Sequence, residues 1–243
     1  MRIISGRYKR RQLASPPGRS TTRPLPDRVR ESMFGLLRGH FEDASVLDGF
    51  AGVGSFGLEA ASRGASHVVM VERDKRVAEV LRQNVEMLGA GEFAQVVVGD
   101  ALGPAALARC RVPVNIAFLD PPYEMVRDVA GWDRVRQQMT RIAGLMAADG
   151  FLIVRTPWPF LQKLPVEPNH PRGARGQRVE EVMEFASLEE LERAEAKELD
   201  VVVGGADQTL VEGDLSIAGT IGPETHAYGS TAIHLYMRAG AKE

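Results

Sequence analysis

Five short apolar runs punctuate this chain, and four of them end at a carboxylate. They are Val46-Leu47 before Asp48, residues 67–71 before Glu72, residues 95–98 before Gly99-Asp100, residues 114–119 before Asp120, and residues 150–154. Each is too short for a buried helix and too continuous for a half-exposed strand, so each reads as a strand covered on both faces. Between them lie segments with helical spacing: one running through Ala61, one over 75–88, and one from about Trp132 to Met146. Strand and helix in alternation predict a parallel sheet with helices on both faces, whose ligand lies beyond the carboxyl ends of the strands. At 243 residues and 44% apolar content, the chain can bury the core of one large α/β domain.

The first strand runs into Asp48-Gly49-Phe50-Ala51-Gly52-Val53-Gly54-Ser55-Phe56-Gly57. Glycines here let the chain turn sharply and let a ligand approach the backbone. Gly52-x-Gly54-x-x-Gly57, with Glu72 about 20 residues further on, also matches a dinucleotide fingerprint. Glu72 suits ribose hydroxyls in either case, since a carboxylate accepts two vicinal donors. Asp48 separates the two readings: a carboxylate before the loop repels a pyrophosphate and welcomes the ammonium of S-adenosylmethionine. Asp100, closing the third strand, could accept an adenine amine or cap the helix that follows.

The fourth strand leads into Asp120-Pro121-Pro122-Tyr123. Two prolines fix φ and remove two backbone donors, so the ladder stops and a stiff turn follows. An acid, a carbonyl and a ring are thereby presented in a set order. They suit a planar amine, with Asp120 and the Pro121 carbonyl accepting its hydrogens and Tyr123 stacking on its base. Glycine loop and Pro-Pro turn together predict methylation of an amino group, with S-adenosylmethionine as donor.

Net charge is −2 over the whole chain but is unevenly distributed. Residues 1–38 hold ten Arg or Lys against Asp27 and Glu31, a net +8, which leaves −10 for the remainder. Residues 180–200 alone carry nine acids. A basic arm on an acidic body favours a polyanion at one face, the plain alternative being a solvated tail. Within the arm, residues 2–13 alternate weakly around Gly6 as a short hairpin. Residues 15–26 read as a loop, and Asp27 as the cap of a helix carrying Val29, Met33, Phe34, Leu36 and Leu37. No run of about 18 apolar residues and no signal-peptide pattern appears, so a cytoplasmic protein is expected. The single Cys110 excludes an internal disulfide, and the five scattered histidines lack ligand spacing, so no metal is expected.

The order Asp48-Gly-Phe-Ala-Gly-Val-Gly, Glu72, Asp100, Asp120-Pro-Pro-Tyr resembles class I S-adenosylmethionine-dependent amino methyltransferases. More narrowly, Arg2-Ile3-Ile4-Ser5-Gly6-Arg7-Tyr8-Lys9, Arg23-Pro24 and residues 27–34 resemble the RsmD-type guanine-N2-methyltransferases of bacterial 16S rRNA. The resemblance covers residues 1–157 and resumes at residues 228–236. It implies a Rossmann-like, mostly parallel seven-stranded sheet with a basic N-terminal arm. It also implies N2 methylation of a guanine in small-subunit rRNA or an assembling small subunit. Catalysis then falls to Asp120, Pro121, Pro122 and Tyr123, and donor binding to Asp48, Gly49, Phe50, Gly52, Gly54, Glu72 and Asp100. RNA contact falls to Arg7, Lys9, Arg10, Arg11 and Arg23, and a monomer is expected.

Two departures stand out. The family usually carries a carboxylate or polar residue soon after the fifth strand, where this chain has Arg155-Thr156-Pro157-Trp158-Pro159. A long segment, 161–226, then intervenes where the family needs little. It holds a basic glycine-broken loop over 169–178, an acidic helix candidate over 187–198 and a strand candidate over 199–203. The expected division is therefore an arm (1–38), a donor-binding catalytic core (39–160), an insertion (161–226) and a closing strand (227–243). A DNA adenine or cytosine amino methyltransferase would use the same two motifs but needs a target-recognition segment. A glutamine-N5 protein methyltransferase more often has Asn at the first motif position. A non-catalytic assembly factor on the same fold is the third rival.

Overall fold

The computed structural model describes residues 1–16, 25–164, 202–204 and 208–240. Seven strands form its main sheet: β1 (Ser45–Gly49), β2 (His67–Glu72), β3 (Ala94–Val98), β4 (Val114–Leu119), β5 (Met146–Pro157), β9 (Thr220–Tyr228) and β10 (Thr231–Arg238). They lie in the order β3-β2-β1-β4-β5-β10-β9. The first five run parallel, while β10 is antiparallel to both β5 and β9. Alternate residues face opposite layers, as the pleat requires. Val46, Val68, Met70, Ile116, Phe118 and Ile153 enter one core with Phe34, Leu58 and Leu81. Leu47, Val69, Val71, Ala117, Leu119, Leu152 and Val154 enter the other with Trp132, Met139 and Ile142. Both faces are thus buried, which is why these strands are apolar without alternation.

The helices are α1 (Asp27–Leu36), α2 (Gly57–Ser62), α3 (Lys75–Leu88), α4 (Pro104–Leu107), α5 (Tyr123–Arg127) and α6 (Val129–Ala143). The bounds of α3 follow from local signals. The Asp74 side chain accepts from the Arg76 and Val77 amides at its start, and Gly89 closes it at φ +64°. At α1 the expectation fails: the N-cap is Pro26, and Asp27 sits in the first turn, pairing with Arg2 and Arg30 instead. The helix expected over 132–146 begins earlier, as two pieces. Tyr123 itself opens α5, and Asp128 caps α6 by accepting from the Gly131 amide at 2.7 Å.

The N-terminal hairpin forms, bridged Arg2 to Gln12, and is docked rather than loose. The Ile4 and Ser5 amides donate to the buried Glu59 carboxylate at 2.6 and 3.0 Å, and Arg63 pairs with the same group. Gly6, at φ +82°, lies so close to the Ser62 carbonyl that any side chain would collide with it. In the expected insertion, β6 (Leu161–Lys163), β7 (Val202–Gly204) and β8 (Gln208–Glu212) form a small antiparallel sheet. The main sheet resumes at Thr220, ahead of the expected boundary at 227, because β9 pairs along β10. The basic loop over 169–178, the acidic helix candidate and Arg23 lie outside the described residues. Among the described residues, no helix is long and apolar enough to cross a membrane.

Candidate active site at the switch point of the sheet

Strand order reverses between β1 and β4, and the carboxyl ends of strands at such a switch point are where a sheet of this kind takes its ligand. Parallel register pairs Asp48 with Phe118 and Gly49 with Leu119, which brings Asp120 beside the start of the glycine loop. Glu72 ends the neighbouring β2, and Arg155 stands near the end of β5. Two of the expected motifs, far apart in the chain, thus meet at one rim.

The glycine loop is held from behind. The Phe50 and Ala51 amides both donate to the Val71 carbonyl, and the Gly52 amide donates to Glu72 Oε2 at 3.0 Å. Glu72 Oε1 accepts from the Asp74 amide at 2.7 Å, so both of its oxygens shape the backbone while the residue stays part-exposed. Gly54 (φ +92°) leaves no room for a side chain beside Leu58 and Leu81. Phe50 takes φ +87°, a conformation that costs a non-glycine residue on the order of 1–3 kcal/mol and that sequence does not announce.

Asp48 departs from its expected pose. It is fully buried behind the loop; Oδ2 accepts from the Gly57 amide at 2.8 Å, and Oδ1 is buried without a partner. Burial pushes its carboxyl up to about 7; the Gly57 bond opposes this, and the nearby Asp120 and Glu72 charges add to it. Asp100 is half-exposed. It accepts from the Leu102 amide at 3.0 Å and pairs with Arg134 at 3.1 Å. It caps no helix, since α4 starts only after Gly103; its bond to the amide two residues on is an Asx turn.

On the β4 side, Pro121 is buried and Pro122 is the N-cap of α5, so the turn hands Tyr123 directly to a helix. The Tyr123 hydroxyl donates to Thr231 Oγ1 at 2.7 Å, and Thr231 donates on to the Thr156 carbonyl at 3.2 Å. Thr156 Oγ1 and His234 Nε2 lie 2.8 Å apart, and Thr225 meets the other ring nitrogen. Burial lowers His234 to about 4, so this support is neutral at pH 7. Asp120 Oδ1 accepts from Arg155 Nε at 2.6 Å, with side chains 20% and 12% exposed respectively. Burial raises the Asp120 carboxyl, and Arg155 acts against that shift. The Arg155 guanidinium also lies 5.2 Å from the Tyr123 ring centroid. Arg155, Thr156, Thr231 and His234 had no site motif to mark them; the one signal was Arg155, as a departure from the family pattern.

Of the basic arm, Lys9, Arg10 and Arg11 are exposed, Arg11 also reaching the Met87 carbonyl at 3.0 Å. Arg7 lies over the Phe93 ring at 4.5 Å. Arg30, counted in the arm's charge, is buried against Asp27 and the Arg2 carbonyl, so it offers nothing to a partner.

Residues 1–179 match the family described as Conserved hypothetical protein 95. The chain is 43% identical over 125 residues to ribosomal RNA small subunit methyltransferase D of Escherichia coli K12, covering 51% of this chain and 60% of that protein. The namesake from Haemophilus influenzae is 37% identical over 124 residues, 51% of this chain and 64% of its own length. The matched segment thus spans less than two thirds of these relatives. Among solved structures, a candidate methyltransferase of Escherichia coli, yhhF, superposes with a TM-score of 0.60 at 27% identity, over 98% of this chain and 97% of that one. A hypothetical protein of Thermus thermophilus superposes with a TM-score of 0.59 at 25% identity, over 97% and 98%. With the sheet order and the family match in agreement, the chain belongs to the Conserved hypothetical protein 95 family, the RsmD family.

Proposed function

We propose that this protein transfers a methyl group from S-adenosylmethionine to the exocyclic N2 amine of a guanine in small-subunit rRNA. The observation that carries the reading is the β1–β4 register, which sets Asp120, with Tyr123 three residues on, beside the start of the glycine loop at the switch point of the sheet. The relatives' names support rRNA as the substrate class. A monomer acting in the cytoplasm, on naked rRNA or on an assembling subunit, completes the proposal.

The donor fits the residues present. Asp48 has a buried carboxylate oxygen without a partner, whose field favours a cation, and Gly52 is open where a side chain would otherwise stand. Asp48, Gly49, Phe50, Gly52, Gly54, Glu72 and Asp100 would hold it, with Glu72 toward ribose hydroxyls. When bound, S-adenosylmethionine supplies an electrophilic methyl group.

The chain's own residues do the rest. A guanine amine is a weak nucleophile because its lone pair is delocalised into the ring. Asp120 and the Pro121 carbonyl, accepting its two hydrogens, would orient it and draw the nitrogen toward sp³ character. Such orientation is worth up to about 7–11 kcal/mol when the geometry is right. A fixed carboxylate also stabilises the positive charge that develops on the amine, and the surplus proton can leave through Asp120 to water. Tyr123 would stack on the extruded base, a contact worth about 1–3 kcal/mol. Lys9, Arg10 and Arg11, with Arg7 and Arg23, would supply phosphate contacts from the arm.

Labelled methyl transfer to undermethylated small subunits tests this, with naked rRNA and duplex DNA in parallel and digestion to nucleosides. N2-methylguanosine from the rRNA is the expected product. Label in DNA would promote an adenine or cytosine amino methyltransferase. Donor binding without transfer to any substrate would favour a non-catalytic assembly role.

A further inference from the structure

Resting on the function proposed above, we infer that Arg155 is the resident occupant of the acceptor-base subsite and that the target base must displace it. Its Nε–H donates to Asp120 Oδ1 at 2.6 Å, and its guanidinium stands 5.2 Å from the Tyr123 ring. Those are the two groups that a planar amine would use, one as hydrogen-bond acceptor and one as stacking surface. A guanidinium is itself planar and rich in N–H donors, so it reproduces the chemistry of an aminated base. Arg127 lies 5.9 Å from the same centroid, which crowds the ring further.

Electrostatics argues that Arg155 leaves instead of assisting from where it stands. Asp120 helps only if its negative charge is available to an amine that is becoming positive. A guanidinium still bonded to Oδ1 would cancel most of that field and would repel the cationic donor nearby. While the subsite lacks a base, the same pairing has a purpose. It compensates a carboxylate that is only 20% exposed and lies close to the charge of Asp48. The donor atom is on a side chain, at the end of a flexible stem, so the bond can break without moving β5.

In Arg155→Gln, KM for the rRNA substrate should fall and kcat/KM should rise by about three- to tenfold, the scale of one part-buried ion pair with its ring contact. Arg155→Lys, which keeps the charge but lacks the planar fork, should fall between the two. A drop in kcat/KM that Arg155→Lys restores would overturn the inference and make Arg155 a fixed positioning residue; unchanged kinetics would also overturn it. Nucleotide binding provides a measurement independent of turnover. With S-adenosylhomocysteine present, affinities for guanosine, adenosine, cytidine and uridine monophosphates are compared in wild type and Arg155→Gln, with melting temperatures confirming the fold. Tighter guanosine monophosphate binding in the variant supports both proposals. Tighter adenosine or cytidine monophosphate binding instead keeps the displacement and sinks the guanine reading. Equal affinities in both proteins for all four would sink the displacement itself.

Discussion

Asp48 and Asp120 end adjacent parallel strands, and both are pushed toward the neutral form by burial, yet they are held in opposite ways. Asp48 is fixed by a backbone amide from Gly57 and has one oxygen sealed away without a partner. Asp120 is held by a side chain, Arg155, and keeps a fifth of its surface open. A backbone partner cannot leave without unfolding the turn, whereas a side-chain partner can rotate away. On the proposed function, the β1 corner would be preformed for the donor and the β4 corner exchangeable, as a site that admits and releases a base must be.

The largest expected effect separates the two corners outright. Asp120→Ala should cut methyl transfer by about 10²–10³-fold while donor affinity, read by calorimetry, stays within about twofold. Equal loss of both would break the contrast and leave Asp120 as a structural residue. Next, Asp48→Asn should weaken donor binding by about tenfold at pH 8, the equivalent of roughly one pKa unit of lost interaction. In the wild type, donor affinity should climb as pH rises through about 7, since the field of the ionised carboxylate favours a cation; the variant should lose that climb. Stability gives the opposite sign. A raised folded pKa means the native state holds its proton longer, so this group's contribution is fully present below about 4 and is lost as pH rises to about 7. Asp48→Asn should thus gain on wild type in urea unfolding at pH 8 and show no such gain at pH 4.

Smaller effects sharpen the β4 corner. Tyr123→Phe keeps the ring but frees it from Thr231, and should lower kcat/KM by about three- to tenfold, one net hydrogen bond. Thr231→Val should cost the same, and the double variant no more than either. Full additivity would show that the tether is not what positions the ring. Smallest per residue, replacing Lys9, Arg10 and Arg11 with Gln should flatten the salt dependence of RNA binding by up to about one slope unit each. Melting temperature should hardly move, because these side chains are exposed. An unaltered slope would restore the solvated arm.

Much of the frame was legible because its signals are local. Burial on both faces makes the centres of β1, β2 and β4 apolar without alternation, an Asp and a Gly bracket α3, and two prolines end β4. The same locality explains the errors. Asp27 is of a type that caps helices, but Arg2 and Arg30, brought to it by the docked hairpin, drew it into the first turn's ion pairs. Arg30 counted as surface charge until packing buried it. Asp100 is likewise of a capping type but caps nothing, because α4 starts only after Gly103 and Arg134, 34 residues on, pairs with its Oδ2.

By itself, then, the sequence determined which residue types stand at the strand ends: a carboxylate closing β1 and β2 and another just after β4, glycines in the first turn, and a ring on a rigid one. Tertiary structure alone decided which of them touch. Parallel register set Asp120 beside the glycine loop, and β5 carried Arg155 onto Asp120 from 35 residues away. The antiparallel entry of β10 between β5 and β9 delivered Thr231 to Tyr123 across 108 residues. Periodicity and capping are settled within a few residues of chain, whereas a partner across the sheet is settled by register and layer packing, which no short window of sequence contains.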